Sequence, residues 1–189
     1  EEATLLAGDA AGGDLFGNAV ALSADGSRAL IGARDDDSAI GANAGSARVF
    51  LRSVTGWVEE ATLRDSSAVT ANDEAGYSVA LSADGVRAVL GAPFDSANGG
   101  DSGSARVFVR SGTTWTEERV LIAPTRSSFG YFGTSVALSA DGTRVVVGMP
   151  HTPRPTFTPT SPGSAFVFLR TGTTWALEAE LTAPLTNGA

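Results

Sequence analysis

VALSADGSRALIGA, from Val20 to Ala33, is the most informative segment of the chain, because closely similar segments occur twice more. They read VALSADGVRAVLGA from Val79 and VALSADGTRVVVGM from Val136. Each copy places an Ala-Asp-Gly turn between two short apolar runs, which is a strong signal for a β-hairpin. The sequence therefore predicts a tandem array in which every repeat contains such a pair of antiparallel strands.

A second block completes each repeat. SARVFLRSVTGWVEEATL begins at Ser46, and related segments with one tryptophan each begin at Ser104 and Ser164. These blocks predict a third and a fourth strand, joined by another tight turn. Four antiparallel strands at a period of about 58 residues are typical of a β-propeller blade. We expect an all-β fold of three four-stranded blades, a partial propeller that a second chain could complete to six blades.

The blades are predicted at residues 6–63, 64–121 and 122–181. Residues 1–5 repeat the end of a fourth strand, and residues 182–189 resemble a segment that leads into a further repeat or the C-terminus. Three blades do not close a ring of the usual four to eight. We therefore expect a homo-oligomer or a part of a longer repeat array.

Short motifs at fixed places in the repeats resemble the FG-GAP repeat of the integrin α-subunit propeller and of many bacterial surface proteins. They are Phe16-Gly17, Gly91-Ala92-Pro93 and Phe132-Gly133, whereas the second repeat has Ala75-Gly76 in place of Phe-Gly. The resemblance implies a β-propeller with an extracellular or cell-surface location and a role in adhesion.

The calcium loop that this family often carries, DxDxDGxxD, is absent. The corresponding turns hold one aspartate each, Asp25, Asp84 and Asp141. One carboxylate does not supply the six to eight oxygens that calcium prefers. We expect these residues to form turns and expect no cofactor, with calcium as the alternative although its usual loop motif is absent.

The amino-acid composition limits the classes of partner that can be expected. The 13 basic residues are outnumbered by 21 acidic ones, which gives a formal net charge of −8. Nucleic acids and anionic membranes attract clustered positive charge, so neither is expected as a partner. No apolar run is long enough to span a bilayer, so membrane insertion is not expected. A protein or a glycan remains as the expected ligand.

Two classes of long loop should share one face of the propeller: the loops between the second and third strands, and the loops between blades. Because binding residues are often displayed on loops of a rigid scaffold, we expect the site there. The acidic loop residues are predicted to bind a cation or a basic partner, or to be solvated turn residues. The third loop, rich in proline and threonine, could be a recognition arm, a glycosylated segment or an insertion. The candidate ligand-binding residues are Asp35, Asp36, Asp37, Asp95, Asp101, His151 and Arg154.

Aromatic residues ahead of the third repeat allow two interpretations. Phe129, Tyr131 and Phe132 could offer a surface on which a sugar stacks, or they could pack between neighbouring sheets. We favour packing. The same holds for Trp57, Trp115 and Trp175, whose recurrence in every repeat indicates a structural role.

The expected function is that of a non-enzymatic extracellular or cell-surface module, adhesive or structural, which binds a protein or glycan through the acidic loop face. A lectin-like carbohydrate binder and an accessory propeller domain of a larger enzyme are the alternatives. Catalysis is disfavoured, because the single histidine, His151, lies in the proline-rich loop without a nucleophile motif near it.

Overall fold

The computed structural model describes residues 3–37, 41–64, 71–96, 98–125, 128–151 and 163–183. Their regular secondary structure is entirely β and comprises twelve strands in three four-stranded antiparallel sheets. The predicted all-β fold with three four-stranded blades is confirmed. In chain order the strands are β1 (Phe16–Leu22), β2 (Arg28–Ala33), β3 (Ser46–Ser53), β4 (Gly56–Leu63), β5 (Ser78–Leu81), β6 (Arg87–Ala92), β7 (Ser104–Ser111), β8 (Thr114–Leu121), β9 (Ser135–Leu138), β10 (Arg144–Met149), β11 (Ser164–Thr171) and β12 (Thr174–Thr182).

Each sheet is a simple up-and-down meander, β1 to β4, β5 to β8 and β9 to β12. The first strands of successive sheets lie side by side, since β1 contacts β5 and β5 contacts β9. Residues 3–5, which match the end of a fourth strand in sequence, form no strand; Leu5 instead packs on Ala29, Ile31 and Phe50 of the first blade.

The Ala-Asp-Gly turns join the first two strands of each blade. In the first blade Asp25 accepts hydrogen bonds from the Ser23 hydroxyl at 2.7 Å and from the Ser27 amide at 2.9 Å. Gly26 takes a φ of +68°, a left-handed conformation that costs a glycine little. Asp84 and Asp141 accept equivalent bonds, which confirms the predicted role of these aspartates as turn formers.

The core lies between the sheets rather than within one. Leu30, Val49 and Leu63 of the first blade pack on Leu90 and Phe108 of the second. A larger cluster joins the second blade to the third in the same way. Because apolar residues of both faces of the middle blade are buried, each blade depends on its neighbours, as in other repeat arrays.

Backbone contacts explain the Phe-Gly and Gly-Ala-Pro motifs. The carbonyl oxygen of Gly133 lies where a Cβ on Gly91 would stand, at 2.0 Å, so only glycine fits there. The Gly133 amide donates to Gly148 of its own blade at 3.0 Å. Gly76 and Gly32 make the equivalent close approach between the first two blades, at 2.2 Å. The motif therefore fastens one blade to the next.

Candidate functional site

The two classes of long loop meet on one face of the array, as predicted. The amides of Asn72 and Ala75, ahead of the second blade, donate to Ala42 and Ala44 of the loop between β2 and β3. Between the second and third blades, the Tyr131 amide donates to the Asp101 carbonyl at 3.2 Å. These bonds tie the loops into one surface, which we call the loop face.

Two of the predicted acidic residues are buried within that face. Asp36 is 5% exposed and Asp95 is 4% exposed. Asp36 lies 3.2 Å from the Arg48 guanidinium, and Asp95 lies 3.1 Å from that of Arg106. Each carboxylate also accepts a bond from the serine that begins β3 or β7. These two carboxylates balance buried arginines inside their blades and are not exposed to a ligand.

The other acidic candidates are more accessible. Asp35 forms an ion pair with the adjacent Arg34 at 3.6 Å, and exposed Asp37 accepts a bond from the Asn43 amide at 2.9 Å. Asp101 is half-buried, and its backbone, not its carboxylate, holds Tyr131. Among the described residues, no three acidic or histidine side chains are grouped so that they could hold a metal ion.

Of the two remaining candidates, His151 lies among the described residues and Arg154 does not. His151 is exposed, and its ring contacts that of Tyr131 with centroids 5.4 Å apart. Phe132 is fully buried against Phe166 and Phe168, which confirms the packing interpretation for that residue. Phe129 is 59% exposed, so the packing interpretation does not hold for it.

A continuous row of aromatic rings crosses the loop face from the second blade to the third. The rings of Tyr77 and Phe94 are 6.3 Å apart, those of Phe94 and Tyr131 are 5.4 Å apart, and His151 follows Tyr131. All three contacts are edge-to-face, the geometry that aromatic pairs favour. We call these four residues the aromatic row.

Each member of the row is placed by the repeat. Tyr77 directly precedes β5, while Phe94 and His151 stand at equivalent positions just after β6 and β10. Tyr131 belongs to the segment ahead of β9, and its carbonyl accepts a bond from the Thr134 hydroxyl at 2.6 Å. The row therefore consists of residues at the loop-face ends of inner strands, which are held by the sheets.

A concave surface accompanies the row. A cavity of about 330 Å³ is lined by Tyr77, Pro93, Phe94, Tyr131, Thr134 and Pro150. A second cavity, of about 510 Å³, lies on the other side of Tyr77 and is lined by Leu15, Phe16, Gly17, Asn18 and Arg34. Volumes of this size occur in small-molecule sites, and the lining of the smaller cavity is mostly apolar with a few polar groups.

Charged groups stand at one end of the row. The Arg34 guanidinium lies 5.2 Å from the centroid of the Tyr77 ring, within the range of a cation–π contact. It also pairs with Glu74 at 3.4 Å. Burial raises the pKa of Glu74, and the Arg34 charge only partly opposes this effect. This end of the row therefore offers a cation and a carboxyl group beside an aromatic surface.

Backbone conformation distinguishes the segment that carries Phe129 and Tyr131. Both have positive φ angles, +60° and +55°. Leu15 and Glu74 occupy the position of Tyr131 in the other repeats with similar angles, so that conformation belongs to the repeat. At the position of Phe129 the other repeats have Gly13 and Asn72, residues that tolerate left-handed backbone better. A phenylalanine at this place is thus less favourable for folding than glycine or asparagine would be.

In the part of the chain that the structure describes, the opposite face carries the tight turns of the hairpins. Hydrogen bonds from Ser23 and Ser27 lower the pKa of Asp25 to about 2, and those from Ser139 and Thr143 do the same for Asp141. Because these bonds are made inside the turn, the carboxylates stabilise the hairpin turns. The arrangement of long loops on one face and short turns on the other, on four-stranded antiparallel sheets, is that of β-propeller blades.

Comparison with known proteins agrees with this class. The model of the FG-GAP repeat matches residues 1–50, 57–108 and 115–168, and the chain therefore belongs to the FG-GAP repeat family. No curated protein resembles it closely enough to count as a relative. The described residues include no helix that is long and apolar enough to cross a membrane.

The similarity between this chain and solved structures is one of fold and not of sequence. Sqt1 of Saccharomyces cerevisiae superposes with a TM-score of 0.53 at 10% identity, over 90% of this chain and 37% of that protein. Hydrazine synthase of Kuenenia stuttgartiensis gives 0.51 at 12% identity, over 87% of this chain and 36% of that one. This chain spans little more than a third of either structure. Neither likeness assigns an activity to it.

Proposed function

We propose that this chain is a non-enzymatic binding module of an extracellular or cell-surface protein, and that it binds a glycan through the aromatic row. The observation that carries the proposal is the row itself, Tyr77, Phe94, Tyr131 and His151, along a cavity of about 330 Å³. The apolar faces of sugar rings pack on aromatic side chains, while neighbouring polar groups fix the orientation.

The surroundings of the row fit this ligand class. Arg34 and Glu74 provide hydrogen-bonding groups at one end, and the Phe129 ring is exposed in the loop ahead of Tyr131. The acidic candidates contribute less, since Asp36 and Asp95 are buried. A binding role is favoured over catalysis because the single histidine, His151, has no nucleophile motif near it in the sequence.

The experiment is a glycan array probed with the whole chain, followed by calorimetric titration of the best ligand. Tyr131→Ala and Phe94→Ala should each weaken binding about tenfold or more, which corresponds to roughly 1.4 kcal/mol. Val54→Ala is the matched control, because Val54 is fully exposed in the hairpin between β3 and β4, on the opposite face. Equal affinities for all four proteins, or binding of proteins but no glycans, would contradict the proposal.

A second variant separates binding from folding. Phe129→Asn places at this left-handed position the residue that the second repeat has there, Asn72. We expect the melting temperature to rise, since a left-handed non-glycine residue costs about 1–2 kcal/mol and asparagine suffers less. Glycan affinity should fall, because the exposed ring is lost. A loss of stability together with unchanged affinity would show that the ring has a structural role.

Location is a separate part of the proposal and rests on the family resemblance. Protease treatment of intact cells that produce the protein should remove it while a cytoplasmic marker survives. Protection of the protein until the cells are lysed would contradict an extracellular or cell-surface location.

A further inference from the structure

The junction between the first two blades carries charged residues where the next junction carries uncharged ones. Arg34, directly after β2, stands where the second repeat has Pro93. Glu74, ahead of β5, stands where the third repeat has Tyr131. Because the second and third blades pack without charges at these positions, blade packing does not require Arg34 and Glu74. Both lie at one end of the aromatic row, beside Tyr77.

The Arg34 guanidinium is only loosely paired. Its Nη1 lies 3.4 Å from the Glu74 carboxylate and its Nε lies 3.6 Å from that of Asp35, whereas hydrogen-bonded pairs of this kind are about 2.7–2.9 Å long. Arg170 and Glu118, which join the second blade to the third, approach to 2.6 Å. A guanidinium presents several N–H donors in a planar fork, and the Arg34 side chain is 33% exposed. It therefore has donors to offer to a further acceptor.

Glu74 is a weak partner for this guanidinium. Its Oε2 atom is buried and accepts no hydrogen bond from the described residues. Burial raises the pKa of the Glu74 carboxyl; the charge of Arg34 opposes this effect and that of Asp35 adds to it. A buried carboxylate without hydrogen-bond donors is costly to keep ionised. An incoming anion that hydrogen-bonds to the guanidinium therefore competes well with Glu74.

The main chain of Arg34 is fixed beside the aromatic row by one side chain. Asn18 Oδ1 accepts a hydrogen bond from the Arg34 amide at 3.2 Å. Asn18 Nδ2 donates to the carbonyl oxygens of Gly76 at 3.2 Å and of Tyr77 at 2.9 Å. Asn18 thus connects the segment that carries the guanidinium to the segment that carries the first ring of the row. A site that is held in place before binding loses less entropy when the ligand binds.

The row and the guanidinium suit a single ligand. The Tyr77 ring centroid lies 5.2 Å from the centre of the Arg34 guanidinium and 6.3 Å from the centroid of Phe94. A sugar ring on the row therefore brings a group on its edge within reach of Arg34. A planar carboxylate matches the guanidinium fork through two parallel hydrogen bonds. An ammonium group would instead meet a like charge.

The net charge of −8 does not exclude an anionic ligand. Exposed charges more than about 8–10 Å away are largely screened by salt at physiological ionic strength, so the groups next to the ligand decide. The acidic groups that pair with Arg34 are Asp35, which is 27% exposed and hydrated, and Glu74, whose ionisation burial opposes. Their repulsion of an anion is therefore weaker than that of two fully ionised, buried carboxylates.

We propose, as a refinement that rests on the proposed function, that the glycan bound by the row is acidic and that its carboxylate binds Arg34. The sugar ring would lie on Tyr77 and Phe94, and the carboxylate would displace Glu74 from the guanidinium. Asn18 is a positioning residue in this arrangement. The ligand class is sugars that bear a carboxylate, such as uronic and sialic acids. Sulfated sugars carry the same charge in a tetrahedral group and form a separate arm of the test.

The first experiment needs no variant. An array with uronic, sialic, sulfated, neutral and amino sugars is probed with the whole chain, and the best carboxylate glycan is titrated by calorimetry beside its own methyl ester. We expect the acid to bind at least about tenfold more tightly than the ester, the gain of a charge-assisted hydrogen-bonded pair. Equal affinities, or stronger binding of neutral, amino or sulfated sugars, would overturn the inference and leave the proposed function standing. Absence of binding to any glycan would overturn both.

Variants of Arg34 test the assigned contact. Arg34→Gln should reduce the preference for the acid over the ester at least about tenfold, and Arg34→Lys, which keeps the charge but not the fork, should retain part of the preference. The matched control is Arg119→Gln, which removes one positive charge from an exposed residue of the edge strand β8 and should leave the preference unchanged. A preference that survives Arg34→Gln, or that is lost equally in Arg119→Gln, would overturn the inference.

Glu74→Gln separates ligand binding from a structural ion pair between blades. We expect it to raise the affinity for the acid about twofold or more, because it removes the charge that competes for Arg34. A purely structural pair predicts the opposite pattern, in which Glu74→Gln and Arg34→Gln both lower the melting temperature and neither changes the preference for the acid. That pattern would contradict the proposal.

Discussion

The leucines that end the fourth strands offer a test of blade packing within one chain. Leu121 is 3% exposed in the cluster that joins the second and third blades, while Leu181 is 54% exposed at the same repeat position. Removing a buried leucine side chain costs about 2–5 kcal/mol, since a cavity adds to the lost transfer energy of about 1.5–3 kcal/mol. Leu181 retains about half of its contact with water and leaves no closed cavity.

We therefore expect Leu121→Ala to lower the free energy of unfolding by about 2–5 kcal/mol and Leu181→Ala by about 1 kcal/mol or less. The assay is urea unfolding followed by circular dichroism at about 1 μM, where self-association contributes least. Equal losses for the two variants would refute the reasoning, because they share sequence context and differ only in whether another blade covers them. A negligible loss for Leu121→Ala would refute it as well.

Three other outcomes follow from the structure. Gly91→Ala should prevent stable folding, because its Cβ would lie 2.0 Å from the Gly133 carbonyl oxygen, whereas Gly100→Ala, with open space around it, should be tolerated; similar melting temperatures would contradict this. Burial raises the pKa of the Glu118 carboxyl, but hydrogen bonds from Arg170 and Trp175 outweigh burial and leave that pKa lowered. The stability that the ionised carboxylate contributes is therefore complete above pH 4.5 and is lost as the pH falls through the folded pKa. Glu118→Gln should cost about 2 kcal/mol at pH 7 and flatten the acid limb of the stability profile, and an unchanged limb would count against this contribution. A calcium chelator should leave the melting temperature unchanged, since a ligand of the native state would raise it; a drop of several degrees would show a bound ion.

The sequence predicts the fold well because the pattern of each strand occurs in all three repeats. Turn chemistry adds to this, since Ala-Asp-Gly in every copy places a hairpin at a known position. The boundaries of the strands are harder to predict from the sequence. β1 begins at Phe16 and has seven residues, whereas β5 and β9 have four each. That difference arises from the bulge in β1 between Phe16 and Val20, which no pattern in the sequence indicates.

The candidate site was harder to predict, because its contacts depend on how loops and sheets pack. In the sequence Asp36 resembles an exposed loop residue, but in the folded chain it lies beside Arg48 of β3 and is buried. A clue was present: the first two repeats pair a loop aspartate with an arginine inside the third strand, whereas the third repeat has Thr152 and Phe166 at these positions. Seen together, the two changes indicate a buried ion pair rather than a ligand site.

The aromatic row is harder to predict from the sequence than the buried ion pair. Tyr77, Phe94 and Tyr131 lie in three separate segments, and their rings meet only after two blades have packed. Phe94 and His151 both follow the Gly-Ala-Pro position, which puts them at corresponding places in adjacent blades. Sequence alone fixes that correspondence, but it does not fix the distance between the rings.

In the proposed function the ligand binds at the aromatic row on the loop face. The most direct measurement is a two-dimensional NMR titration of the isotope-labelled chain with the best ligand from the array. We predict that amide shifts cluster at Tyr77, Phe94 and Tyr131 and spread along their loops. Shifts centred instead on the turns at Asp25 and Asp84, on the opposite face, would contradict the claim.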